Sequence, residues 1–239
     1  MNGLTIHSTL ADMVNADPNA ARVLESHHLD YCCGGHDTLE QSCQAKGIDP
    51  EEVLAQIGAN SAEDGADTSW RELGLHDLVH HIRTTHHEYL HAELPRLCAL
   101  AAKVEQVHGS NHPELMSISR CVTLLRDDLE PHLAKEERIL FPMIEQLAAA
   151  TQTAPEFHCG SLSNPIRQML VEHDRAGELL AELRSLTNQF ELPADACASY
   201  SQLYRGLEAL EHDTHMHVHK ENNLLFPQVL EREHQLRTH

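Results

Sequence analysis

Two stretches of the chain are near copies: His132 to Pro142 reads HLAKEERILFP, and His217 to Pro227 reads HVHKENNLLFP, 85 residues further on. Each holds a His, a Glu four residues later, a Leu four after that, and then Phe-Pro, with Lys135 and Lys220 directly before the two acids. On an α-helix, positions i and i+4 lie one turn apart on one face, so each copy sets an imidazole beside a carboxylate. Each copy is also preceded by a His followed by an acid: His87-Glu88 stands 45 residues before His132, and His173-Asp174 stands 44 before His217. The chain therefore contains a duplicated αα-hairpin. Two such hairpins make an up-down-up-down four-helix bundle.

Helical runs span about 75–108, 114–149, 165–190 and 195–233, separated by GSNHPE, by a longer link at 150–163 and by LPADA. Pro95, Pro131, Pro142 and Pro227 fall inside these runs, where kinks or local ends are expected. Before them lie three or four short helices. Asp17-Pro18 and Asp49-Pro50-Glu51-Glu52 read as N-caps with proline at the first helical position, and Asp37 with Glu40 reads as a capping box. GANSAEDGADTS, from Gly58 to Ser69, reads as a linker. The expected fold is all-α: a small N-terminal helical domain over residues 1–60, then a bundle over 70–239. Only 4% of the 239 residues are aromatic and few runs are β-branched, which agrees.

A formal charge of −20 repels phosphate backbones, so nucleic acid is excluded as a partner. No run approaches the roughly 18 apolar residues of a spanning helix, and the N-terminus lacks a basic segment followed by an apolar one. The expectation is a cytoplasmic protein with no membrane contact. Seven cysteines, with only Cys32 and Cys33 adjacent, are unlike a disulfide framework and read as reduced thiols.

The repeated residues point inward. His132 shares its stripe with Leu125, Leu129, Ile139 and Leu140, and His217 with Leu210, Leu224 and Leu225. His173 lies between Ile166, Met169, Leu170 and Leu180, and His87 between Leu90 and Leu94. Two unpartnered acids, Glu136 and Glu221, facing one another on such stripes would cost several kcal/mol each. Bound cations remove that cost. Four neutral imidazoles and two carboxylates able to bridge fit two metal ions about 3.5–4 Å apart. Iron suits this donor set best, with zinc and manganese left open by ligand type.

Taken with DYCCGG at 30–35, VEHDRAGELL and the two copies of the motif, the whole chain resembles the RIC (repair of iron centres) family, di-iron proteins with a hemerythrin-like bundle behind an ScdA-type N-terminal domain. The resemblance implies two non-haem iron ions per chain, carboxylate-bridged with or without an oxo group. Their terminal ligands would be His87, His132, His173 and His217, and their bridges Glu136 and Glu221. His86 and His91 compete for the place given to His87. The resemblance also implies that Asp128, where the family has a longer Glu, and Glu172 line an iron path.

From spacing alone, Asp128 and Asp213, one turn before His132 and His217, either accept the outer N–H of those imidazoles or solvate the bundle end. Ala176 and Gly177 thin the wall beside His173, either admitting nitric oxide or dioxygen or allowing close helix packing. Neighbouring Cα atoms lie about 3.8 Å apart, so a Cys32–Cys33 disulfide would be strained, and Gly34-Gly35 frees the loop to turn sharply. The resemblance assigns this pair to iron transfer or redox cycling, while Cys43, Cys98, Cys121, Cys159 and Cys197 read as structural.

The implied function is repair of iron–sulfur clusters by iron donation under oxidative or nitrosative stress. Damaged iron–sulfur proteins or a cluster-assembly scaffold would be the partners. Nitric oxide reduction or scavenging, or sensing of nitric oxide or dioxygen, are the alternatives, and a homodimer is left open.

Overall fold

The computed structural model describes residues 3–60 and 69–238, and among these there is no strand, only one isolated bridge between Thr9 and Thr38. Four short helices come first: α1 (Leu10–Ala16), α2 (Ala20–Ser26), α3 (Leu39–Lys46) and α4 (Pro50–Asn60). Most of the expected linker, residues 61–68, lies outside the described residues.

Four long rods follow a 3₁₀ turn at Ser69–Glu72. The first joins α5 (Leu75–Ile82) to α6 (Glu88–His108), and the second joins α7 (Glu114–Lys135) to α8 (Phe141–Ala149). The third is α9 (Ser163–Leu186), and the fourth joins α10 (Ala198–Lys220) to α11 (Phe226–Thr238). The expected all-α architecture is what the chain adopts. The third rod stops at Leu186 rather than 190 because Asn188, Gln189 and Phe190 all take left-handed backbone, with φ of 48°, 62° and 60°. Thr187 stabilises that ending, its hydroxyl donating to the Leu183 carbonyl and accepting from the Phe190 N–H.

The caps differ from expectation by a residue or two. The box at the start of α3 is Thr38 with Gln41, not Asp37 with Glu40: the Thr38 hydroxyl accepts the Gln41 N–H and Gln41 Oε1 accepts the Thr38 N–H. Asp17 accepts the Asn19 N–H, so α2 opens at Ala20 instead of Pro18.

Three of the rods are interrupted by one wide π-turn each, at Arg83–His87, Glu136–Leu140 and Glu221–Leu225. In each the amide of the next residue reaches back five places: Glu88 to the Arg83 carbonyl, Phe141 to Glu136 and Phe226 to Glu221. Two of these turns lie directly before Phe141-Pro142 and Phe226-Pro227, where the wider turn relieves the clash of each proline ring with the carbonyl four residues earlier. The helix shifts register there instead of ending. At Pro95 and Pro131 the α-helix runs through.

Two apolar clusters divide the molecule. One, including Leu90, Leu125, Leu180 and Leu207, fills the far half of the bundle. The other joins the near half to the N-terminal helices, so that Leu10, Met13, Leu24 and Leu39 share a core with Ile144, Phe226 and Val229. The N-terminal segment is thereby docked on one end of the bundle. Polar contacts fix its position: Glu25 accepts the Tyr31 hydroxyl at 2.9 Å and lies 3.1 and 3.2 Å from Nδ1 of His212 and His215 on α10. Asn223 donates to the carbonyls of Tyr31 and Cys32 at 3.3 and 3.0 Å.

Gly35 has ordinary backbone angles, and its role is close approach: a Cβ there would stand 2.5 Å from the Tyr31 carbonyl and 2.8 Å from Asn223. Gly35→Ala is expected to destabilise the chain by about 1–3 kcal/mol, as overpacking does, read as a lower midpoint in urea unfolding.

The docking contact is also pH-dependent. Burial raises the Glu25 pKa, but hydrogen bonds from His212 and His215 outweigh it and hold the carboxyl well below its ordinary 4.5. The Glu25 hydrogen bond raises His212 above 6.5. Glu25 contributes stability above 4.5 that is lost as pH falls through its depressed value; His212 contributes below 6.5 and loses that as pH rises through its raised value. The contact is thus strongest between pH 4.5 and 6.5, where both contributions are complete. Amide exchange in residues 20–33 should be slowest near about pH 6 and, after correction for intrinsic exchange, faster at about pH 9.

Candidate metal centre

The layer between the two apolar clusters is made of six side chains from all four rods: His87, His132, Glu136, His173, His217 and Glu221, each essentially without solvent exposure. His87 closes the first π-turn, while Glu136 and Glu221 open the second and third. Their ligand atoms form two nests. His87 and His217 face each other with Nε2 atoms 3.2 Å apart, and His132 and His173 with Nε2 atoms 3.1 Å apart. Glu136 Oε2 lies 3.5 Å from His87 Nε2 and 3.3 Å from His132 Nε2. Glu221 presents Oε2 to His173 at 3.1 Å and Oε1 to His217 at 3.2 Å. Both carboxylates therefore belong to both nests, and each nest brings four ligand atoms within 4.8 Å of one another.

The hydrogen bonds around the nests show what they fit. His87 Nδ1 donates to Glu137 at 3.0 Å, His132 Nδ1 to Glu172 at 2.9 Å, and His173 Nδ1 to Asn222 at 2.8 Å. A neutral imidazole carries one N–H, so these outer acceptors hold it at Nδ1 and leave the Nε2 lone pairs facing inward. All four oxygens of Glu136 and Glu221 are buried without a hydrogen-bond donor. Inward lone pairs and buried carboxylates with no donor repel one another unless cations lie between them. The residues fit a dinuclear metal centre, with nitrogen and bridging oxygen donors.

The outer contacts follow a rule the sequence reading missed. The residue after each shared Glu, Glu137 or Asn222, accepts the N–H of the His on the preceding rod. The residue before that His faces the other imidazole: Glu172 holds His132 and is itself bonded by Lys135, whereas His86, bonded by Lys220 at 2.8 Å, stacks on His217 at 5.6 Å. The duplicated Lys-Glu dipeptide was the available signal, because it places Lys135 and Lys220 equivalently. His217 Nδ1 has no acceptor among the described residues.

Other expected neighbours are placed differently. Asp128 does not orient His132; it is exposed, 3.7 Å from Arg175, because Glu172 on the facing rod reaches Nδ1 first. Asp213 does not orient His217; it accepts from His86 Nδ1 at 2.8 Å. His91 is half exposed and bonded to Glu137, outside both nests, as is His86, whose pKa burial pushes down to about 4. The hydrogen bond from His132, outweighing burial, holds the Glu172 carboxyl at about 2.

Cys32 and Cys33 are free thiols with sulfurs 3.9 Å apart. Asp30 Oδ1 accepts the backbone N–H of both and the Cys32 thiol at 3.1 Å, and the three side chains form a further group able to hold a cation. Hydrogen bonding to Cys33, burial and the Asp30 charge together push the Cys32 thiol well above its ordinary range. The loop borders a cavity of about 630 Å³ whose lining also includes Gly177 on α9. A Cβ at Gly177 would meet nothing within 4 Å, whereas Ala176 is buried in the far apolar cluster, so of the two small residues expected to thin the wall beside His173 one lines this cavity and the other serves packing. Cys43 and Cys121 are buried, and Cys197 is exposed, 3.1 Å from His108.

Fold and centre together define a hemerythrin-like cation-binding bundle. Residues 77–229 match the family described as Hemerythrin HHE cation binding domain, and residues 6–61 match a domain of unknown function, DUF542. The iron-sulfur cluster repair protein YtfE of Enterobacter sp. (strain 638) is 35% identical over 221 residues, covering 92% of this chain and 96% of the relative. The proteins of that name from Shigella boydii and Escherichia coli O8 are each 34% identical, with the same coverage. The chain belongs to this RIC family of hemerythrin-like proteins, as its motifs imply.

Glu172→Ala frees His132 Nδ1 and should weaken metal binding at the nest of His132 and His173 about 10–100-fold, while His91→Ala should leave metal affinity unchanged; competition titration against a chelator measures both.

Proposed function

We propose that this chain holds two iron ions and donates iron to damaged iron–sulfur clusters. In this reading His87 and His217 hold one ion, His132 and His173 the other, and Glu136 and Glu221 bridge them. The observation that carries it is the pair of buried carboxylates, each shared by both nests and neither given a donor. The relatives' name, iron-sulfur cluster repair protein, supports repair over reduction or sensing of nitric oxide at the same centre.

Within this reading the iron is cargo, and the protein's residues keep it reversible. Two imidazoles per ion leave room in the coordination sphere for exchange. Glu172 at His132 and Asp128 at the surface beside Arg175 mark a path on the α9 side. The Asp30, Cys32 and Cys33 group, bordering the 630 Å³ cavity, is the place where iron leaves for a client. Iron–sulfur proteins damaged by oxidants or nitric oxide are the clients. No helix among the described residues is long and apolar enough to cross a membrane.

Metal analysis with Mössbauer spectroscopy tests the centre: two coupled irons per chain are expected, lost in the Glu136→Ala/Glu221→Ala variant. Iron bound equally by that variant overturns it. For repair, a nitric-oxide-treated [4Fe–4S] dehydratase should regain activity with the loaded chain while a chelator holds free iron low, and recovery no better than with the iron-free chain would refute donation.

A further inference from the structure

The two copies of the motif part company at the residue after the bridge. Glu137 and Asn222 both accept from a ligand imidazole, but Glu137 turns its carboxylate toward His91 at the surface, whereas Asn222 turns toward the cysteine loop. Asn222 Oδ1 accepts the His173 N–H at 2.8 Å; Nδ2 donates to the Cys32 carbonyl at 3.3 Å and lies 4.0 Å from Cys33 Sγ. A carboxylate only accepts, while a carboxamide accepts on one arm and donates on the other. The two arms share one rigid plane, so a shift of the loop that carries Nδ2 rotates Oδ1 away from His173. Phe226, stacked on His173 at 6.1 Å and 4°, fixes the plane of the imidazole and leaves its tautomer and in-plane aim to Asn222.

We propose that Asn222 is a positioning residue linking the Cys32–Cys33 loop to the metal position of His132 and His173, so that a group attached at Cys33 loosens that position and leaves the other unchanged. This rests on the dinuclear reading above. Among the described residues no comparable path leaves the other nest: His87 is held by Glu137, and His217 is covered by His86. Cys33 is half-buried and lines the 630 Å³ cavity, so a small reagent can reach it. Its consequence is sequential release: arrival of an acceptor at the thiols frees one ion and retains the second.

The test loads the full chain anaerobically with two equivalents of Fe(II) and follows transfer to a colorimetric Fe(II) chelator, with and without prior alkylation by iodoacetamide. Alkylation should speed release of one iron about tenfold, the scale of losing an outer partner, and leave the second unchanged. Cys33→Ser should abolish that response, which separates it from alkylation of other cysteines. In Asn222→Ala one iron should leave fast with or without alkylation. Asn222→Asp keeps the acceptor for His173 and loses the donor to the loop, so release should be slow and indifferent to alkylation. Equal acceleration of both irons, or a full alkylation response retained in either Asn222 variant, overturns the proposal. Failure of the unsubstituted chain to take up two irons is seen before the release step and sinks the dinuclear reading as well.

Discussion

Burying two carboxylates side by side is the constraint from which the middle of this molecule follows. Moving one carboxylate from water into a low-dielectric interior carries an idealised cost of order 20 kcal/mol, and several kcal/mol after relaxation. Glu136 and Glu221 have neither solvent nor donor to offset it. Cations answer both charges at once, provided that the imidazoles around them stay neutral and keep their lone pairs inward. Outer acceptors on three of the four histidines meet that condition. The apolar clusters on either side keep water from doing the same work less selectively.

The centre has pseudo-twofold symmetry, and its departures from symmetry are chemical. On one side Lys135, half exposed, bonds Glu172, which bonds His132. On the other, Lys220 is buried between His81 and His86 with its ammonium 5.1 Å from the Trp70 ring centroid, and His86 stacks on His217. The first arrangement raises the electron density of its imidazole; the second shields one. The N-terminal segment breaks the symmetry further through its hydrogen bonds to His212, His215, Asn222 and Asn223 on the fourth rod, so two nests written by one repeated motif have different surroundings.

The duplicated motif made the bundle and the six inward side chains legible, because helical spacing alone decides which residues share a face. It left His86 and His91 in competition with His87, and only the folded chain shows that His87 alone of the three enters a nest. Spacing left two readings open at Asp128 and Asp213: both stand one turn from a ligand, yet Glu172 on a facing rod takes His132 and Asp213 turns to His86, and sequence along one helix carries no distance across to the next. The π-turns were hidden for a related reason. Pro142 and Pro227 announce a disturbance, but whether the helix ends, bends or widens depends on the packing around it, and the turn at Arg83–His87 has no proline to announce it.

The sequence by itself determined the class of fold, the donor set and the family, since periodicity, residue type and motif are local properties of the chain. Tertiary structure alone decided that the cysteine loop sits on the shoulder of the metal layer and that Asn222 touches both. Those partners are 190 and 49 residues from it along the chain: packing of the third rod against the fourth brings His173 within hydrogen-bond reach of Asn222, and docking of the N-terminal helices onto the bundle brings Cys32.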